Sequence, residues 1–104
     1  MNNIVRLTLD ALTGVTVGIS AKEDILGKDV YNDQSEKVGV IEDILIAPDD
    51  KTTYGIVGVG GFLGIGRRSV AVPVDFFQEN SDGQWILYGA TKDLLKQAPE
   101  FSYS

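Results

Sequence analysis

The sequence predicts a mainly β domain, a small barrel or sandwich of six to eight short strands with one helix near the C-terminus. Three observations predict it. Apolar and polar residues alternate in short runs separated by turn residues at regular spacing. No helices lie between those runs, as a βαβ fold would require. The glycines gather at Gly55–Gly66, and glycine inside a strand marks a bulge, a sharp bend or the close approach of another backbone, all of which a small barrel needs to turn its corners. At 104 residues there is room for one core only.

From the N-terminus, Val5, Leu7 and Leu9 alternate with Arg6, Thr8 and Asp10, and Val15, Val17 and Ile19 alternate with Thr16 and Gly18. Each run has the period of a strand with one buried face. With Thr13-Gly14 as a turn they form an expected N-terminal hairpin, so residues 1–19 read as a β extension. Ser20-Ala-Lys-Glu23 has the spacing of a capping box, followed by a short helical turn that Gly27 ends in a left-handed conformation. Lys28–Tyr31 is a short strand, and Asn32–Glu36 a polar turn whose side chains bond back to the backbone.

Lys37–Ala47 is the longest strand candidate, apolar on both parities and therefore expected at the centre of the sheet. Pro48–Lys51 is a turn and Thr53–Gly60 the next strand. Ser69–Val74 is a strand ended by Pro73, which favours an edge. Asp75-Phe76-Phe77 reads as a tight turn that drops an aromatic ring into the core. Ser81-Asp82-Gly83 turns the chain into a last strand at Gln84–Tyr88. Thr91 caps a helix over Lys92–Ala98 with Leu94, Leu95 and Ala98 as its packing stripe, and residues 100–104 read as a loose tail.

Composition narrows the chemistry. There is no histidine and no cysteine, which removes the commonest general base, thiol nucleophiles, disulfides and zinc sites together. Glu42 and Asp43, adjacent on a strand, are expected to point to opposite faces. Asn32, Asp33, Ser35 and Glu36 cluster but lack the pattern of a calcium loop. No catalytic, cofactor or metal site is therefore predicted, and the chain reads as a non-enzyme. With 15 acidic residues against 9 basic ones, the net charge of −6 argues against direct contact with a nucleic-acid backbone. No stretch approaches the ~20 apolar residues of a membrane span, and the first residues lack the features of a secretory signal. The expectation is a soluble, cytoplasmic protein.

The glycine block fails each phosphate-binding pattern in turn. A dinucleotide fingerprint begun at Gly58 ends on Leu63, and one begun at Gly64 ends on Ser69. A P-loop begun at Gly61 meets Arg67-Arg68 where Lys-Ser/Thr belongs, and Gly61-Phe-Leu-Gly64 lacks the helices of a KH fold. What remains is barrel geometry and an apolar tip. Phe62, Leu63 and Ile65 stand among glycines that cannot cover them, beside Arg67 and Arg68, the only adjacent basic pair. An arginine pair in a loop is ordinarily solvated. An exposed apolar loop calls for something to pack on it, so these five residues are the candidate partner-binding surface, for another protein or a second copy of the chain.

Gly27-Lys-Asp-Val-Tyr31, Glu36-Lys-Val-Gly-Val-Ile-Glu-Asp43, Gly58-Val-Gly-Gly-Phe-Leu-Gly-Ile-Gly66 and Val70-Ala-Val-Pro-Val74 resemble the PRC-barrel family in order and spacing, continuing into Trp85-Ile-Leu and Ala90-Thr91-Lys92. The resemblance covers residues 20–99. It implies a small β-barrel of about six strands that holds or assembles partners without catalysis. The family includes the cytoplasmic domain of the photosynthetic reaction-centre H subunit and the C-terminal domain of the ribosome-maturation factor RimM. The first reading is therefore a self-associating assembly module. The second is an RNA-processing or ribosome-associated factor. A small-ligand barrel is the third, disfavoured because a barrel of this size is filled by its own side chains.

Overall fold

The computed structural model describes residues 5–49, 51–60 and 66–103. Six strands form one curled sheet: β1 (Asp29–Asn32), β2 (Lys37–Ile46), β3 (Thr53–Val59), β4 (Arg68–Pro73), β5 (Phe77–Glu79) and β6 (Trp85–Leu87). Their order is β4-β3-β2-β1-β6-β5, antiparallel except for the parallel pair β1/β6. One helix follows, α1 (Lys92–Gln97). The fold is mainly β, as expected. Its two end strands, β4 and β5, do not hydrogen-bond to each other, so the barrel is left open along one seam.

The core follows from the alternation. Val30, Val38, Ile41, Val57, Val59, Val70, Leu87, Ala90 and Leu95 form one buried cluster. The strand buried on both faces is β3, in which every residue from Gly55 to Val59 is buried. The sequence placed that role on β2. There, Glu42 forms a bulge: Ile41 pairs with Val57 and Asp43 with Ile56, leaving Glu42 with no partner of its own. An extra residue reverses the facing of all that follow it. Ile41 and Ile44, of opposite parity, consequently face the same apolar cleft.

Local signals are used much as read. Ser20 Oγ accepts from the Glu23 N–H at 3.2 Å, but the return bond comes from Asp24, whose Oδ2 accepts from the Ser20 N–H at 2.8 Å. The box is shifted by one residue because the turn it opens, Ala21–Ile25, is a π-turn closed by Leu26 N–H to Ala21 O. Gly27 ends it at φ +79°. Thr91 Oγ1 caps α1 by accepting from the Leu94 N–H at 3.0 Å. Leu95 is buried and Ala98 packs against the core, whereas Leu94 is 56% exposed and leaves the expected stripe.

Two expectations are corrected, at the N-terminus and in the tail, and one between them is met. Residues 5–19 form no strand; their only regular structure is a 3₁₀ turn at Leu9–Ala11. A two-stranded hairpin is marginal without a sheet to lie on, and among the described residues nothing lies over this segment, which is exposed throughout. The aromatic turn at residues 75–77 is as read: it leads into β5 and packs Phe77 against the core over Gly55, with Phe76 exposed. The tail is held, because the Phe101 N–H donates to Ser69 O at 2.7 Å and the Tyr103 hydroxyl donates to Asp43 Oδ2.

Candidate functional site

The bulge at Glu42 organises one face of the sheet. Freed from the ladder, its carboxylate accepts from Ser69 Oγ at 2.8 Å and meets Arg67 Nη2 at 3.0 Å. The pair lies over Gly58, where a Cβ would come within 2.5 Å of the Arg67 guanidinium and 2.8 Å of Glu42 Cδ. Asp43 is engaged separately. Its Oδ1 accepts from the Ile44 N–H at 2.7 Å and its Oδ2 takes the Tyr103 hydroxyl. That bond first, then desolvation and the charges of Asp43 and Glu42, holds the Tyr103 phenol above its ordinary value of 10.0. Glu42 and Asp43 thus engage different partners, Arg67 and Ser69 for the first and Ile44 and Tyr103 for the second.

The two arginines part company. Arg67 is tied to Glu42 and lines a groove of about 590 Å³ with Lys37, Lys92 and Lys96 over a floor that includes Val38, Gly39, Val40 and Gly58. Among the described residues no carboxylate lines that groove, although Lys37 also pairs with Asp29 at 3.1 Å. Arg68 turns inward and its Nη2 donates to Ala98 O at 2.7 Å, closing the C-terminal end of α1. The remaining candidates, Phe62, Leu63 and Ile65, lie outside the described residues.

A second concavity is apolar. Ile25, Ile41, Ile44, Gly55, Val74, Phe77 and Trp85 line an open cleft of about 130 Å³. Its rim is fixed by the π-turn: Trp85 Nε1 donates to Asp24 O at 3.1 Å, which binds the base of the N-terminal segment to β6. The cleft depends on the bulge that brings Ile41 and Ile44 to one side and on Phe77, in a strand too short to show an alternating pattern. The inward aromatic of the 75–77 turn was legible, but the bulge and the strand that starts at Phe77 have no sequence signature strong enough to read in advance.

Beyond the rim runs residues 5–19. Val5, Leu7, Leu9, Leu12, Val15, Val17 and Ile19 are 59–93% exposed. This was legible as alternation, but its lack of a partner within the chain was not. The segment stands away from the body, and the radius of gyration is 16.7 Å against about 13 Å for a compact domain of this length.

Among the described residues, no three or more Asp and Glu side chains gather as a metal site, and no helix is long and apolar enough to cross a membrane. The acidic turn is instead self-satisfied: Asn32 Oδ1 accepts from the Gln34 and Glu36 N–H groups at 2.9 and 3.0 Å, and Asn32 Nδ2 donates to Glu36 Oε1 at 2.9 Å. Asp33 Oδ1 takes the Gly89 N–H at 2.8 Å.

No curated protein matches the sequence. Among protein families, residues 18–95 match the PRC-barrel domain, which spans the whole sheet and most of α1 and leaves residues 1–17 outside. The bulged central strand, the glycine-bearing β3 and the strand ending in Pro73 are the elements that carried the resemblance, and the chain belongs to the PRC-barrel domain family.

Proposed function

We propose that this chain is a non-catalytic assembly module of the cytoplasm that associates with itself. The observation that carries the reading is the N-terminal segment, whose seven apolar side chains at residues 5–19 are 59–93% exposed and find no cover among the described residues. A run of this size exposed to water is the ordinary mark of a contact surface. The apolar tip at Phe62, Leu63 and Ile65, with Arg67 and Arg68 beside it, is the second part of the proposed surface. Its test is the mass in solution by light scattering for the wild type, for Val15→Ser/Val17→Ser/Ile19→Ser and for Phe62→Ser/Ile65→Ser. The wild type is expected as a dimer or larger and the segment variant as a monomer; a monomeric wild type at every concentration defeats the reading.

One observation favours a second reading, an RNA-processing or ribosome-associated role. The groove lined by Lys37, Arg67, Lys92 and Lys96 gathers cations on one face of an otherwise acidic protein. Co-sedimentation with ribosomal subunits at moderate salt, lost in Lys92→Glu/Lys96→Glu, is the expected result if this groove meets an anionic partner. Absence from those fractions ends it.

A further inference from the structure

The chain carries both halves of a complementary pair and keeps them apart. One half is the exposed segment 5–19. The other is the apolar cleft beside β5, whose outer edge has no neighbouring strand. We propose that residues 15–19 of one copy enter the cleft of a second copy as an added strand beside β5, and that the exchange is reciprocal. This rests on the self-association reading above and names its contact.

Three features direct the segment to a second copy rather than to its own cleft. The first is its root. Ser20 is extended at φ −89° and ψ 124°, with its N–H held by Asp24 and its Oγ by the Glu23 N–H. Asp24 is in turn bound through its carbonyl to Trp85, a residue of the cleft wall. The chain therefore leaves the cleft rim in a fixed direction, and Gly18 is the nearest residue at which a turn carries little steric cost. The second is reach. Fifteen residues can span at most about 50 Å, as far as the 48 Å longest extent of the whole molecule, so the segment can cross to a neighbouring copy. The third is shape, since the large radius of gyration already shows the segment held outward.

The fit is chemical as well as geometric. Val15, Val17 and Ile19 share one parity, so in an added strand all three face the same side. Phe77 is both the first residue of β5 and part of the cleft wall, so that side is the cleft. A volume of 130 Å³ is of the order that holds a benzene-sized apolar group, the bulk of one or two aliphatic side chains. Arg6 and Asp10 leave the segment 5–19 without net charge, so it meets no repulsion from an acidic twin. If each of the three apolar side chains removes roughly 100 Å² from water, two exchanged segments bury on the order of 600 Å² from themselves, and with a comparable area of the clefts they cover the total approaches the lower end of a stable interface. The exchange also covers the free backbone edge of β5, which would otherwise invite uncontrolled pairing.

Because the protein has no cysteine, single cysteines report the contact without background. Val17→Cys and Val74→Cys proteins are mixed, oxidised mildly and resolved by mass, with solution mass and circular dichroism recorded on the same samples. Both positions are exposed in the monomer, Val74 at 37%, so folding is retained. A disulfide joining one Val17→Cys chain to one Val74→Cys chain, in a sample of dimeric mass, is the expected result. A dimer with no such cross-link overturns the exchange and leaves self-association standing. A monomer overturns both. An intramolecular disulfide in the Val17→Cys/Val74→Cys double variant at dilute concentration places the segment on its own cleft and also overturns the exchange. A charge at the centre of the contact, Val17→Asp, is expected to weaken the dimer about tenfold or more with the circular dichroism unchanged; an unchanged dimer rules the contact out.

Discussion

Arg67 and Glu42 meet at 3.0 Å over Gly58, and the glycine is what lets them meet. Glu42 is available because it is the bulged residue of β2, and Arg67 because it immediately precedes β4. The pair ties the central strand to the start of the edge strand. Both side chains remain partly exposed, so the ion pair itself contributes at most about 1 kcal/mol.

Two glycines in neighbouring strands therefore respond differently to the same substitution. A Cβ at Gly58 meets the movable ends of Arg67 and Glu42, whereas a Cβ at Gly39 falls 2.5 Å from the Gly58 carbonyl oxygen and 2.6 Å from Val57 Cγ1. The first can be relieved by side-chain rotation; the second presses on packed backbone. Gly58→Ala is expected to cost about 1 kcal/mol or less, because the alanine also lowers unfolded-state entropy. Gly39→Ala is expected to cost about 2–3 kcal/mol through overpacking. Urea denaturation of the two variants checks the order, and equal costs would contradict it.

The two asparagine turns make a matched pair. Asn32 and Asn80 each accept two backbone N–H groups through Oδ1, from Gln34 and Glu36 and from Asp82 and Gln84 respectively. Asn32 is only 3% exposed, while Asn80 lies in an open turn. The bonds of Asn32 are partly buried and those of Asn80 exposed, and a hydrogen bond lost away from water costs more than one that water can replace. Asn32→Ala is expected to destabilise by about 2–3 kcal/mol and Asn80→Ala by about 1 kcal/mol or less. Thermal unfolding followed by circular dichroism measures the difference.

Tyr103 reports whether the tail is docked. Its hydrogen bond to Asp43 holds the phenol above 10.0, the value it takes in the unfolded chain. The neutral phenol is thus favoured by the folded state. The stability it contributes is fully present below pH 10 and is lost as pH rises through the higher folded value. Ultraviolet titration, taken as the difference between wild type and Tyr103→Phe, is expected to show this phenol ionising late, and earlier in Asp43→Ala. An unchanged midpoint in Asp43→Ala would mean that the tail is not held there.

Most of the sheet was readable because alternation and turn chemistry are local. β2, β3 and the strand ended by Pro73 lie within a residue or two of where their patterns placed them. So do the Thr91 cap and the left-handed Gly27. β5 was missed because three residues are too few to show a period. The pairing of Glu42 with Arg67 and Ser69 was missed because a bulge is decided by registry against another strand, which no single strand's sequence contains.

The N-terminal segment divides the two sources of information most clearly. The sequence by itself determined that Val5–Leu9 and Val15–Ile19 present one apolar side, since a period of two follows from backbone geometry alone. Only the tertiary structure decided that this side has no cover in the chain. Cover depends on where β5 ends, how the bulge turns Ile41 and Ile44 together, and which way Ser20 sends the chain out. Those are properties of elements brought together across the whole domain, and a pattern confined to neighbouring residues carries no record of them.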